Sequence, residues 1–302
     1  MADPADVVTS DERDPVVQVS AQRDRLLETL AGYRRVAVAL SAGVDSSVVA
    51  RAAQLALGDG ACAVTADSPS LASGELEEAV DIARRIGIRH HILKTSEFNS
   101  PDYSQNPSNR CYYCKSELYG QLWSRRSEWN FDVMVNGANL DDRGDHRPGM
   151  LAASEFEVRS PLLECGFTKA DVRSLAREWG LPVWDKPAAP CLSSRVAYGV
   201  TVTEELVRQI DAAEAWLRRD LNIRELRVRV EAGSLARIEV PLADIPRLTD
   251  PERRSRLTEQ FRSLGFRAVT LDLEGFRSGN LNATLPAGDL VMLTPHIASS
   301  AR

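Results

Sequence analysis

The sequence lacks several features that would place it in a special class of protein. No apolar run approaches the roughly 18 residues of a membrane-spanning helix. The start of the chain is acidic and polar, unlike a signal peptide. Only 4 histidines are present, and they suggest no metal site. These absences predict a cytoplasmic protein that makes no membrane contact.

An excess of positive charge is also missing. The formal net charge is −6 over 302 residues, so we predict no nucleic-acid partner. The 5 cysteines are too few for a disulfide scaffold in a chain of this length. In a reducing compartment they are expected to bind metal, to take part in catalysis or to be buried. The length favours two domains, and 43% hydrophobic with 26% charged residues is typical of a globular chain.

The most informative stretch is a turn of small residues, 41–47, that joins a strand-like run to a helix-like pattern. A turn at a helix start presents free backbone N–H groups, and that geometry suits a phosphate. Gly43 lacks a Cβ, so a phosphate could approach the backbone closely. No lysine lies between Ser41 and Ser47, so this is not the Walker A pattern. An ordinary capped strand–turn–helix is the plain alternative.

Strand-like and helix-like segments then alternate, which is typical of an α/β fold with a doubly wound parallel sheet. Ligands of such sheets bind beyond the carboxyl ends of the strands. The polar stretch 137–149 follows one such end and is either a solvated loop or part of the site. The predicted strands are residues 35–40, 61–66, 89–94, 132–136 and 160–163, and the predicted helices are residues 21–30, 74–87, 111–129 and 169–179.

Composition also divides the chain into units. Beyond a proline-rich linker, half-exposed strands and amphipathic helices predict a smaller α+β domain. The predicted units are a disordered tail at 1–19, the nucleotide domain at 20–185, the linker at 186–200, the substrate or oligomerisation domain at 201–282 and a tail at 283–302.

Three cysteines form a candidate sulfur or metal site. Cys111 and Cys114 make a C-x-x-C pair at a predicted helix start, where a thiol pKa is expected to be lowered, and Cys191 lies in the linker. Thiolates hold iron–sulfur clusters, whereas zinc normally takes four protein ligands, and a clear fourth is missing. Three thiolates on a four-iron cluster would leave one iron open to an added sulfur. A cluster, a zinc ion and unligated thiols all remain open at this point.

Two arginines of the smaller domain, Arg227 and Arg229, alternate onto one face of a predicted strand. They form either a solvated face or a clamp for a phosphate or carboxylate, which guanidinium groups bind well.

The turn 41–47 resembles the S-G-G-x-D-S pyrophosphate loop of the ATP pyrophosphatases, which have an adenine nucleotide alpha hydrolase-like fold. The members of that family split ATP between the α and β phosphates and leave AMP on a substrate oxygen. Ala42 stands where the pattern has glycine. Alanine tolerates positive φ poorly, so Ala42 is where we expect strain or a rearranged turn.

Further motifs narrow the resemblance to the LarE family, the ATP-dependent sulfur transferases of nickel-pincer nucleotide cofactor biosynthesis. The matching stretches, besides the loop, are residues 137–149, 191–199, 227–229, 236–239 and 269–279. The resemblance implies that ATP and Mg²⁺ adenylate a carboxylate of a pyridinium dicarboxylate mononucleotide, and that sulfur displaces AMP to give a thiocarboxylate. It also implies a homo-oligomer.

Some members of the family sacrifice one cysteine as the sulfur source. Others carry three cysteines and a [4Fe–4S] cluster whose open iron holds a replaceable sulfide, and this chain resembles the second type. Two alternatives are a tRNA thiolation enzyme of the same superfamily and an amide-forming ATP-dependent synthetase.

The resemblance implies roles for individual residues. ATP binding is expected of Ser41, Gly43, Asp45, Ser46, Ala66, Asp67, Ser68, Gly137 and Asp142. Asp45 is also expected to position Mg²⁺, and it is the predicted catalytic residue beside Cys111, Cys114 and Cys191. Substrate binding is expected of Ser194, Arg195, Arg227 and Arg229, and Glu239 is a weaker candidate for holding metal.

Overall fold

The computed structural model describes residues 15–142 and 148–277, without the side chains of residues 15–18. Residues 143–147 of the polar stretch 137–149, most of the predicted N-terminal tail and the predicted C-terminal tail lie outside these ranges. The first half of the described chain is built from helices and strands in alternation. Its helices are α1 Pro15–Gly32, α2 Val44–Leu57, α3 Glu75–Ile86, α4 Pro101–Ser104, α5 Arg110–Ser124, α6 Arg126–Trp129, α7 Pro148–Glu155, α8 Pro161–Glu164 and α9 Lys169–Glu178. Its strands are β1 Val36–Ala39, β2 Ala61–Asp67, β3 Arg89–Lys94 and β4 Val133–Val135.

These strands form one parallel sheet in the order β3-β2-β1-β4. Side chains alternate between its two faces, as they do along any strand. Val36 and Val38 of β1 pack in a core with α1, α2, α3 and α9, whereas Ala37 packs on the other face with α5 and α7. Helices therefore cover both faces, and the predicted α/β fold with a doubly wound parallel sheet is confirmed.

The structure corrects several predicted boundaries. Residues 161–164 are helical, not a last strand, and pairing there is limited to a bridge between Val135 and Arg159. Proline lacks the N–H that a strand ladder uses, and it is favoured in the first turn of a helix, where Pro161 stands. Residues 15–19, predicted to be part of a tail, begin α1, and the predicted helix 111–129 is divided at Arg125.

The second half of the described chain forms a smaller unit with a mixed sheet. Its helices are α10 Glu204–Leu221, α11 Ile245–Thr249 and α12 Pro251–Ser263, and its strands are β5 Arg227–Glu231, β6 Leu235–Glu239 and β7 Ala268–Leu271. The strand order is β5-β6-β7, with β5 antiparallel to β6 and β6 parallel to β7. None of the described helices is both long and apolar enough to span a membrane.

Strand β5 differs from the half-exposed strand that alternation predicts. Arg227 and Arg229 are only 9% and 6% exposed, because linker residues and α10 cover the strand. Val196 of the linker forms a bridge with Val230, and Glu214 of α10 accepts a hydrogen bond from the N–H of Val228 at 3.1 Å. The linker thus packs the smaller unit against the chain that precedes it.

Candidate active site

The loop between β1 and α2 is held in shape by its own hydroxyl groups. The N–H of Ser41 donates to Ser46 Oγ at 3.1 Å, and the two serine hydroxyls lie 3.2 Å apart. The hydroxyls of Ser46 and Ser47 both donate to the carbonyl of Gly43, at 3.2 and 2.8 Å. Gly43 is the N-cap residue of α2 and has an extended backbone. The loop therefore stands at a helix N-terminus, the arrangement that favours an anion.

Ala42 adopts the strained conformation that the sequence suggested. Its φ is 55°, in the left-handed region, and the residue is fully buried. A Cβ in that region costs about 1–2 kcal/mol. The loop therefore keeps the left-handed turn that glycine favours, although alanine stands at this position.

Two lysines that sequence reasoning missed flank the loop. The ammonium of Lys169, at the start of α9, pairs with Asp45 Oδ2. The ammonium of Lys186 donates to the carbonyl of Ala42 at 3.2 Å and pairs with Glu78. The lysines stand 124 and 144 residues from their partners in the loop, so no local spacing reveals them. The capping box that starts α9, with Thr168 and Asp171, is the one local signal, because it places Lys169 at a helix N-terminus.

The segment after β4 packs directly on this loop. A Cβ added to Gly137 would lie 2.7 Å from the backbone nitrogen of Ser46, so only glycine allows the approach. Asn139 donates to Asp45 Oδ1 at 3.1 Å, and Asp142 Oδ2 accepts from the N–H of Asn139 at 2.9 Å. Gly137 and Asp142 thus shape the loop's surroundings, and direct contact of either residue with ATP stays a prediction.

The carboxyl end of β2 lies beside the same loop. Thr65 Oγ1 donates to the carbonyl of Leu40, which precedes Ser41, at 2.9 Å. Ala66, Asp67 and Ser68 follow at the strand end, where we predicted the adenosine to bind. The hydroxyl of Ser68 donates to Glu97 and lies 2.8 Å from that of Ser70. The predicted ATP-binding residues therefore share one edge of the sheet.

The linker holds Cys191 close enough to the C-x-x-C pair for their charges to interact. Cys111 lies in the first turn of α5 and Cys114 at the start of its second turn, and Cys191 precedes a short 3₁₀ turn, Leu192–Arg195. The N–H of Leu192 donates to the carbonyl of Ser70 at 2.8 Å, which anchors the Cys191 segment to the loop after β2.

A buried polar cluster anchors the same segment to the C-x-x-C helix. Arg110 donates to the carbonyl of Ser193 at 2.7 Å, and Tyr103 shares a 2.7 Å hydrogen bond with the Ser193 hydroxyl. Asn106 donates to the carbonyl of Ala197 at 2.8 Å. As a result Cys191 lies within electrostatic range of Cys111 and Cys114.

The thiol pKa values do not follow the prediction of a lowered pKa at a helix start. Cys111 is exposed at the surface, yet desolvation by the surrounding protein raises its pKa despite the opposing charge of Arg110. Burial also raises the pKa of Cys114, to about 12, although Lys115 opposes the change; Cys191 and Glu97 add to it. Desolvation therefore outweighs the positive charges of Arg110 and Lys115, and the pKa of each thiol lies above its usual value. Among the described residues, no three of His, Cys, Asp and Glu are grouped in reach of one metal ion.

The predicted substrate arginine Arg195 is committed to a buried ion pair. Arg195 Nε donates to Glu214 Oε1 at 3.0 Å, and the two side chains are 3% and 0% exposed. Burial alone would raise the pKa of Glu214, but Arg195 and Arg218 hold it below its usual range. Sequence reasoning missed Glu214, although it shares a helix face with Ile210 and Leu217, where a carboxylate needs a partner. Substrate binding by Arg195 stays a prediction.

Arg229 and Glu239 form a second buried pair. Arg229 Nε donates to Glu239 Oε1 at 3.1 Å, and Arg237 pairs with the same oxygen at 2.7 Å. Arg229 also donates to the carbonyl of Ser194 at 2.7 Å, and the Ser194 hydroxyl donates to the carbonyl of Cys191 at 2.7 Å. A metal on Glu239 would have to displace two guanidinium groups, so that weaker prediction gains no support.

Arg227 is buried without such a partner. It donates to the carbonyls of Leu226 and Ala188, at 2.7 and 3.0 Å, and its guanidinium lies 5.1 Å from the ring centre of Phe276. No carboxylate of residues 15–142 or 148–277 lies within ion-pairing distance of it. Burial, and then the charge of Arg195, lower the pKa of Arg227 to about 10. Arg227 is thus the best anion-binding candidate of the predicted arginines.

Comparison with known proteins agrees with this geometry. Residues 24–104, which contain the loop and the first strands, match the asparagine synthase family. The chain is 46% identical to the uncharacterized protein slr1717 of Synechocystis over 88% of its length and 99% of that protein. It is 29% identical to GMP synthase of Streptococcus pneumoniae over 67% of its length, which is 44% of that enzyme.

The match that identifies the family covers nearly all of both chains. The chain is 37% identical to the pyridinium-3,5-bisthiocarboxylic acid mononucleotide synthase of Lactiplantibacillus plantarum, over 90% of its own length and 98% of that enzyme. The chain therefore belongs to the LarE family, the family of that synthase.

Proposed function

We propose that this protein is an ATP-dependent sulfur transferase that converts a carboxylate of a pyridinium dicarboxylate mononucleotide to a thiocarboxylate. The observation that carries the proposal is the 37% identity over 98% of a synthase whose printed name gives a pyridinium bisthiocarboxylic acid mononucleotide as product. The hydroxyl-rich loop at the start of α2 agrees with it, because a helix N-terminus suits the phosphates of ATP.

In the first step a substrate carboxylate oxygen attacks the α-phosphorus of ATP, and pyrophosphate leaves. The loop residues Ser41, Gly43 and Ser46 bind the leaving phosphates. Lys169 and Lys186 lie on either side of the loop, where each can exchange its present partner for a phosphate oxygen. Asp45, released from Lys169, then becomes an oxygen ligand for Mg²⁺.

The substrate's own anionic groups require a cation beyond the nucleotide loop. Arg227 is a buried guanidinium that no carboxylate of the described residues neutralises, so a phosphate or carboxylate of the substrate fits there. Arg229 acts indirectly, because it holds the carbonyl of Ser194 and thereby the segment that follows Cys191. Arg195 supports the same segment through its 2.8 Å hydrogen bond to the carbonyl of Cys191.

In the second step a sulfur nucleophile adds to the acyl carbon, and the bond to AMP breaks. We assign Cys111, Cys114 and Cys191 as the ligands of a [4Fe–4S] cluster. The three cysteines lie within electrostatic range of one another and of the positive charges of Arg110 and Lys115. Those charges would stabilise thiolates, which are the ligands of such a cluster. Such a cluster would supply a replaceable sulfide.

A homo-oligomer and a cytoplasmic location remain our predictions. The alternatives lack a specific observation in their favour. The net charge of −6 argues against tRNA as substrate, and the likeness to GMP synthase covers less than half of that enzyme.

The first step is tested by pyrophosphate and AMP release with Mg²⁺, ATP and the pyridinium dicarboxylate mononucleotide. We expect both products in equal amounts, and only when the dicarboxylate is present. Release that is independent of the dicarboxylate, or ADP in place of AMP, would contradict the proposal.

A further inference from the structure

His90 and Thr65 form a chain of hydrogen bonds that ends at the nucleotide loop. Thr65 Oγ1 lies 2.8 Å from His90 Nε2, and the same hydroxyl donates to the carbonyl of Leu40 at 2.9 Å. Thr65 is buried in β2 and pairs with Ile92 of β3. His90 lies two residues before Ile92, so its side chain is on the same face of the sheet as that of Thr65. The register of the two strands thus brings the imidazole to the hydroxyl.

The hydrogen bonds of this chain run in one direction. A carbonyl oxygen only accepts, so the single proton of the Thr65 hydroxyl goes to Leu40. The hydroxyl oxygen can then only accept from the imidazole, which makes His90 Nε2 the donor. Burial, and then the charge of His91, lower the pKa of His90, which favours the neutral ring. The contact with Thr65 therefore assigns the proton of that ring to Nε2.

The carbonyl that this chain holds belongs to the first peptide group of the loop. A peptide group is planar, so fixing the carbonyl of Leu40 also fixes the direction of the N–H of Ser41. That N–H donates to Ser46 Oγ at 3.1 Å, and Ser46 is one of the residues assigned to the pyrophosphate. The peptide is therefore held on the sheet side by Thr65 and on the loop side by Ser46.

A strained turn follows directly on this peptide. Ala42 has a φ of 55°, a conformation that persists only where the surrounding structure enforces it. Its carbonyl accepts from Lys186, which under the proposed function exchanges this partner for a phosphate oxygen. The peptide between Leu40 and Ser41 keeps its own anchor when that exchange occurs, because Thr65 lies in the sheet.

We propose that His90 is a positioning residue for the nucleotide: through Thr65 it fixes the peptide between Leu40 and Ser41, and so holds the Ser46 hydroxyl for the pyrophosphate of ATP. This role rests on the proposed function, because it takes the loop 41–47 as the ATP site. It adds a residue from outside the loop that acts only through the Thr65 hydroxyl.

Equilibrium binding of MgATP to His90→Phe, together with the steady-state KM values, tests this role. Phenylalanine keeps a ring of similar size and removes the N–H donor. We expect Kd for MgATP and KM for ATP to rise about tenfold, the effect of losing the hydrogen bond that orients the loop. KM for the mononucleotide should stay within about twofold of wild type, because the mononucleotide does not bind at the loop.

His91→Phe is the matched control, since it makes the same substitution at the neighbouring residue. His91 stacks on Trp129 with 4.5 Å between ring centres, and a phenyl ring can keep that stack. Its Nε2 has no hydrogen-bond partner among the described residues, so the substitution removes no such contact. His91→Phe should bind MgATP as wild type does.

Two further variants separate positioning from a merely structural role. His90→Gln keeps an N–H donor of similar reach, so Kd should return to within about twofold of wild type. Thr65→Val removes the shared hydroxyl and should weaken MgATP binding as His90→Phe does. The double variant should bind no more weakly than Thr65→Val alone, because the two residues act in one chain. If His90→Phe does not fold, Thr65→Val and His90→Gln carry the comparison.

Wild-type Kd for MgATP in His90→Phe or in Thr65→Val would overturn the role of His90 and leave the sulfur-transfer proposal standing. Additive losses in the double variant, or no rescue by His90→Gln, would overturn it as well. Wild type that binds MgATP but releases no pyrophosphate with the mononucleotide would overturn the proposed function, while the Kd values would still decide the role of His90. Wild type that binds no MgATP would overturn both.

Discussion

An ion pair at the nucleotide loop is partly exposed, whereas an ion pair beneath the smaller sheet is buried. Beside the loop, the paired side chains of Lys169 and Asp45 are 34% and 22% exposed. Under β5, the paired side chains of Arg195 and Glu214 are 3% and 0% exposed. A partly exposed pair contributes little and exchanges partners easily, whereas splitting a buried pair leaves an uncompensated charge. The lysines are therefore suited to bind phosphate, and Arg195 is suited to hold the linker.

Arg227 is the exception in the second region. It is as buried as its neighbours, yet the described residues give it only carbonyl acceptors. Arg195 and Arg229 therefore maintain the fold through their ion pairs, whereas Arg227 is available to a substrate anion.

The largest expected effect is on stability, from Glu214→Gln. The change leaves Arg195 and Arg218 without their carboxylate, and we expect the free energy of unfolding to fall by about 3–5 kcal/mol. Urea denaturation measures it. Glu204→Gln, in an exposed pair with Arg208 on the same helix, is the control and should cost less than about 1 kcal/mol. Equal losses in the two variants would show that burial does not distinguish these pairs.

The second effect is on catalysis, from Lys169→Met. Removing a phosphate-binding cation should lower kcat/KM for pyrophosphate release about 100-fold. The free energy of unfolding should change by less than about 1 kcal/mol, since the pair with Asp45 is partly exposed. Lys94→Met, on the exposed edge strand β3, is the control. A loss of stability with unchanged kcat/KM would mean that Lys169 stabilises the fold and does not bind phosphate.

The third effect is on substrate affinity, from Arg227→Gln. We expect KM for the anionic substrate to rise about tenfold, the effect of losing a hydrogen bond to a charged group. Arg224→Gln, at an exposed position three residues earlier, should leave KM unchanged. Unchanged KM in both variants would remove Arg227 from the site.

The same variant tests the pKa of Arg227. Because burial lowers that pKa to about 10, the folded protein binds fewer protons than the unfolded chain between this pH and the ordinary arginine pKa of 12.5. Stability therefore rises with pH in that window, and the destabilising contribution is fully present below pH 10. Arg227→Gln should consequently be at least as stable as wild type at pH 7, as urea denaturation would show. A loss of several kcal/mol would mean that Arg227 has a structural partner.

The smallest effect is expected from Ala42→Gly in the nucleotide loop. Relief of the left-handed alanine gains about 1–2 kcal/mol, and the greater freedom of glycine in the unfolded chain offsets about 0.4–1 kcal/mol of it. A small rise in thermal midpoint with unchanged kinetics is predicted. A fall in midpoint would indicate that the positive φ of Ala42 carries no strain.

The sequence predicted the α/β fold and its sheet edge well, because β1 and β2 are short apolar runs that end in small polar residues. It predicted the loop 41–47 for the same local reason. The strand predicted at residues 160–163 is wrong, because Pro161 favours the first turn of a helix.

The missed residues depend on contacts between distant parts of the chain. Lys169 and Lys186 meet the loop only after folding, and Glu97 meets Ser68 beyond the ends of the neighbouring strands β3 and β2. The lowered thiol pKa was predicted from a helix start, but burial, which sequence position does not report, outweighed it. The alternation of polar and apolar residues along β5 predicts that Arg227 and Arg229 share one face. It does not reveal that Arg229 pairs with Glu239.

Mass spectrometry of the product and of the Cys191 peptide after anaerobic turnover tests the central claim most directly. We expect AMP, pyrophosphate and a mononucleotide in which sulfur has replaced a carboxylate oxygen, with Cys191 intact. An unchanged mononucleotide, or an amide formed only with ammonia, would contradict sulfur transfer. Dehydroalanine at position 191 would contradict the assignment of Cys191 as a cluster ligand.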